Sequence, residues 1–154
     1  MLTCSLLITV AVALPARADV TLVGPHRVDP CAAMRQWQKT ASTNLDDPTT
    51  LELVGEAASA CAQTYSTPAI RGEFIAVESI RCDIFLAAAA AYNAASHLDI
   101  NDPIAKKLDA GHALDAYAAA AGSCSLGKRS QQLQDSVKSS LDQVRSYYLP
   151  LPSN

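Results

Sequence analysis

Four prolines in this chain stand directly after a residue that caps helices: Asp29-Pro30, Asp47-Pro48, Thr67-Pro68 and Asp102-Pro103. A proline at the first helical position gives up an N–H that the helix leaves unpaired anyway. The Asp or Thr side chain before it accepts one of the remaining orphan N–H groups. Four such pairs divide the chain into helices. They predict one helix from Pro30 to Ala41, a second from Pro48 to Tyr65, a third from Pro68 to about His97 and a fourth from Pro103 to about Ala121. Gly122 is the expected stop of the fourth. A fifth is expected from about Lys128 to Tyr148, where Leu133, Val137, Leu141, Val144 and Tyr148 keep three-to-four spacing and Pro150 forbids continuation.

Composition points the same way. The 154 residues are 49% hydrophobic but only 5% aromatic, and alanine predominates. Alanine has the best helix propensity and little value on a pleated surface. The expected fold is all-α, a single-domain bundle of four to five helices. The third helix is its expected centre, because it carries two adjacent stripes. One is Ile70, Phe74, Val77, Arg81, Ile84, Ala88, Ala91 and Ala95, and the other is Ile75, Glu78, Cys82, Phe85, Ala89 and Tyr92. Helix 4 repeats the spacing with Ala110, Leu114, Tyr117, Ala121 and Cys124, and helix 2 with Leu51, Val54, Ala58, Cys61 and Tyr65.

Before the first helix, the apolar run from Leu2 to Leu14 leads into Ala16-Arg17-Ala18, a small-x-small pattern that signal peptidase accepts. Residues 1–18 are therefore expected to be a signal peptide cleaved after Ala18, followed by an extended arm over 19–28 and the bundle domain over 19–154. Pro15, Arg17 and Asp19 end the run well short of the roughly 20 apolar residues of a membrane anchor. Cleavage changes the net charge from −3 to −4 and the cysteine count from five to four. An acidic chain offers no general attraction to phosphate backbones, so nucleic acid is not an expected partner.

Four cysteines in an exported chain imply two disulfides. Their spacing contains no Cys-x-x-Cys, so zinc knuckles, thioredoxin-type pairs and covalent haem are not indicated. Folding helices 1 and 2 into an antiparallel hairpin puts Cys31 opposite residue 58, about 4.5 Å along the axis from Cys61. Folding helices 3 and 4 puts Cys82 opposite residue 118, about 9 Å from Cys124. The expected pairs are Cys31 with Cys61 and Cys82 with Cys124, each stabilising by roughly 3 to 4 kcal/mol through loop entropy.

No catalytic constellation is apparent, and neither an enzyme nor a cofactor is expected. His97, Asp99, Asn101 and Asp102 resemble an oxygen-ligand loop but lack its glycine and closing glutamate. Asp102 is expected to cap helix 4, with Asp99 and Asn101 solvated and no metal bound. His112 has Asp109 and Asp115 one turn away on either side but no serine or cysteine nucleophile beside it, and is expected to be a solvated surface histidine. Met34 shares a stripe with Cys31 and is expected in the core. Arg81 is a charge on a packed seam, and such a charge must be paired. Glu78, one turn earlier, is the expected partner, and the two are candidate groove residues for an anionic ligand or a partner side chain. Tyr147 and Tyr148 open an aromatic, proline-rich tail over 149–154 that either docks on the bundle or binds a groove elsewhere.

The functional expectation is a periplasmic or secreted, non-catalytic helical protein that acts by protein–protein contact, as inhibitors, toxin-neutralising proteins and small envelope chaperones do. The competing expectation is a small-ligand or cofactor carrier with a core pocket around Met34, Arg81 and His112.

Overall fold

Asp29, Asp47 and Asp102 all cap helices. In the computed structural model, which describes residues 29–65 and 71–148, Asp29 accepts from the Cys31 N–H at 3.0 Å. Asp47 accepts from the Thr50 N–H at 3.2 Å, and Asp102 from those of Ile104 and Ala105, each at 3.0 Å. A proline follows each cap at the first helical position. The Thr67-Pro68 start, the expected signal peptide and arm, and the tail over 149–154 lie outside the described residues.

The helices are α1 (Pro30–Ala41), α2 (Pro48–Thr64), α3 (Arg71–Leu98), α4 (Pro103–Leu126) and α5 (Gln131–Tyr148). Each packs on the next in chain order, so α3 lies between α2 and α4, as its double stripe requires. Cys82, Ile84, Ala88, Ala89 and Ala95 of α3 are fully buried. Apart from Ile84, these side chains are small and let the neighbouring backbones come close, which the disulfides exploit. Cys31–Cys61 joins α1 to α2 with a Cα–Cα distance of 4.6 Å, and Cys82–Cys124 joins α3 to α4 at 4.8 Å. The fold is the expected all-α bundle with the expected pairing. The core stripes of α2 and α5 also fall where the periodicity puts them, with Leu51, Val54, Ala58 and Cys61 buried on one and Val137 and Val144 on the other.

Three expectations about α4 and α5 are corrected. Gly122 does not end α4, which runs on to Leu126 with Gly127 as its cap. An exposed glycine inside a helix costs only about 1 kcal/mol against alanine, and the turn beyond it holds the buried, bridged Cys124. Second, α5 starts at Gln131 rather than Lys128. Lys128 has φ 52°, a left-handed conformation that breaks the helix, and Ser130 then caps α5 by accepting from the Leu133 N–H at 3.3 Å. Third, the buried stripe of α4 is Asp109, Ala113, Ala116, Ala120, Ser123 and Cys124. The expected Ala110, Leu114, Tyr117 and Ala121 flank it, half-buried, one residue out of register.

The α4–α5 turn is clamped to α3. A Cβ on Gly127 would stand 2.5 Å from the Ser79 backbone nitrogen, so only glycine permits this approach. Arg129 then reaches across to donate to Asp83 at 2.6 Å and to Ser79 Oγ at 3.1 Å.

Candidate functional site

The register of α4 brings an aspartate into the core. Asp109 is only 2% exposed, and carboxylate oxygens of Glu52 on α2 and Asp99 just after α3 stand with one of its own, all within 4.8 Å of one another. The antiparallel order explains the meeting, since α2 and α4 begin at the end of the bundle where α3 finishes. Among the described residues, none of the three carboxylates forms a salt bridge. Asp109 Oδ2 and Asp99 Oδ2 are buried without a hydrogen-bond partner.

The electrostatics follow from that placement. Burial first, and then the neighbouring Asp99 and Glu52 carboxyls, push Asp109 up to about 7 from the usual carboxylate range. Glu52 is raised too, by burial and then by the Asp99 charge. Asp99 also sits against the C-terminus of α3, where carbonyl groups concentrate negative potential. Such a centre favours a proton or a cation. Beside it, the Tyr92 ring stacks obliquely on that of His112, with centroids 5.0 Å apart. Tyr92 also lies against Gly55 of α2, where a Cβ would come within 2.8 Å of the ring.

The residues singled out in the sequence are dispersed. Glu78 and Arg81 form the expected ion pair at 2.8 Å, with Glu78 3% exposed and the Arg81 guanidinium 5.7 Å from the centre of the Phe85 ring. Asp83 turns instead to Arg129. His112 is exposed, and no hydroxyl or thiol among the described residues hydrogen-bonds to it. Met34 is buried in the core among Cys61, Cys82 and Ala58. A narrow cleft of about 90 Å³ lies between α3, α4 and α5, lined in part by Asn93, Tyr117, Ser140 and Tyr147. A shallower one on α5 is lined by Ser130, Gln132, Leu133 and Ser136. Neither cleft includes Met34, Arg81 or His112. Tyr147 is 72% exposed, while the Tyr148 side chain lies outside the described residues.

Asp102 caps α4 as expected and Asn101 is exposed, but Asp99 is not a solvated connector, because its carboxyl turns inward to Asp109. Glu52 and Asp109 were missed as a pair because their meeting depends on how three helices stack. One trace existed in the sequence: Asp109 is in step with Ala113, Ala116 and Ala120, a charged residue on an alanine stripe.

The opposite side of α4 carries a different feature. Ile104, Leu108, Ala118, Gly122 and Leu126 recur at helical spacing on its outer face, and all five are exposed. Ile104 is 80% exposed, Leu108 60% and Leu126 52%, and a Cβ on Gly122 would meet nothing within 4 Å.

Among the described residues, fold and site define a bundle of five helices closed by two disulfides, with a buried acidic centre at one end. No family model, curated protein or solved structure matches the chain. No helix among the described residues is long and apolar enough to cross a membrane. Two disulfides in so small a bundle belong to an oxidising environment outside the cytosol.

Proposed function

We propose that this chain is exported, to the periplasm or beyond the cell, and acts without catalysis by binding another protein through the outer face of α4. The single observation that carries this reading is the exposed apolar stripe Ile104, Leu108, Ala118, Gly122 and Leu126. Isolated exposed leucines need no explanation, but large apolar residues aligned along one helix do. Alanine and glycine between them leave room for another backbone to approach. Lys107 borders the apolar end and Asp115 interrupts the stripe, so the fitting partner is an apolar helix with an acidic group at one end and a basic one further along.

The test is affinity capture by the chain spanning residues 19–154, with disulfides intact, from an envelope extract of its own source, alongside an Ile104→Asp, Leu108→Asp variant. Both positions are exposed, so the variant keeps the fold. The reading predicts one stoichiometric protein partner that the variant fails to capture. Equal capture by both chains, or a broad set of clients held by both, overturns it.

A further inference from the structure

The geometry points to a Ca²⁺ site at the end of the bundle where α2 and α4 begin, with Glu52, Asp99 and Asp109 as its protein ligands. The three carboxylate oxygens lie within 4.8 Å of one another, which is no more than twice a Ca²⁺–oxygen bond of about 2.4 Å. Three oxygens no more than 4.8 Å apart lie within about 2.8 Å of a common point, so small side-chain rotations, with no helix moved, bring all three onto one ion. A set made only of carboxylate oxygens is the chemistry of a hard cation, and it excludes the soft metals that select thiolate.

Independent support comes from Asp109 itself. It is 98% buried, judged by its 2% exposure, and its Oδ2 has no hydrogen-bond partner. A buried polar atom left unpaired is costly, and a charged one more so. The Asp99 Oδ2 beside it is unpaired as well. Neither lysine nor arginine bridges to the group among the described residues. The C-terminal carbonyls of α3, next to Asp99, add further negative potential where a cation would sit. Glu52 and Asp99 are only half-buried, so water reaches the open side and completes the six to eight oxygens that Ca²⁺ takes. The sequence-based expectation of no metal rested on residues close along the chain, whereas this set comes from α2, α4 and the residue that follows α3. The site does not depend on the partner-binding role of the outer face of α4.

Calorimetric titration of calcium chloride into the disulfide-intact chain, freed of divalent ions, tests the assignment. The expected result is one Ca²⁺ per chain with a Kd of about 0.1 to 1 mM, and weaker binding of Mg²⁺, which demands shorter and near-octahedral contacts. Asp109→Asn and Asp99→Asn should each weaken binding about tenfold or more, and Asp135→Asn, an exposed change on α5, should leave it unchanged. The helical circular dichroism of each variant checks that it is folded. No saturable Ca²⁺ binding by the unaltered chain, or the same affinity in folded Asp109→Asn and Asp99→Asn chains, overturns the site.

Discussion

Asp109 occupies a place in the α4 stripe where its neighbours, Ala113 and Ala116, have alanine. Its carboxyl is driven up to about 7 by burial and by two adjacent acids, against an ordinary value of 3.8. The consequence for stability has a definite sign. Between those two values the folded chain holds a proton that the unfolded chain has released, so stability falls as pH rises from about 4 to about 7 and levels off above. The raised Glu52 and Asp83 carboxyls act in the same direction. Urea midpoints of the cation-free protein measured across this range should show the decline. Asp109→Asn should flatten it and leave the protein more stable than the unaltered chain at the alkaline end. At this scale the sequence displayed Arg81 with its partner Glu78, because both lie on one helix a turn apart. It did not display Glu52 with Asp109, because nothing local relates them.

At the scale of the element, the three Asp-Pro starts were legible, whereas the end of α4 and the start of α5 were not. Asp29, Asp47 and Asp102 hold their caps because the cap and the N–H it satisfies are two or three residues apart. The end of α4 is decided from outside the helix, by the bridge from Cys82 to Cys124 and by the close approach of Gly127 to Ser79. Two glycines that look alike in the sequence therefore have opposite roles. Gly122→Ala adds a methyl group in open space inside a helix and should stabilise by about 0.5 to 1 kcal/mol. Gly127→Ala drives a methyl group into the α3 backbone and should destabilise by about 1 to 3 kcal/mol. Denaturant unfolding of the two variants beside the unaltered chain checks both signs. The register of α4 was misplaced by one residue for a related reason. A helix packed on two sides carries two adjacent apolar stripes, and periodicity alone does not say which is deeper.

For the whole molecule, the architecture followed from counting starts and cysteines. Antiparallel neighbours in chain order put Cys31 near Cys61 and Cys82 near Cys124, and both bridges form. They close loops of 30 and 42 residues, stabilising by about 3 to 4 kcal/mol each, which matters in a core built so largely of alanine. Among the described residues, the outer face of α4 is exposed along its apolar stripe. Function was the least legible level, since an exposed stripe is recognisable only once the opposite face is known to be buried. The most direct test of the account is photo-cross-linking from inside the source cell. A photoreactive residue replaces Ile104 on the outer face of α4 in one variant, and the exposed Ser139 of α5 in another. The account predicts a single protein adduct from position 104 and none from position 139. Adducts from both positions, or from position 139 alone, or none from position 104, would contradict it.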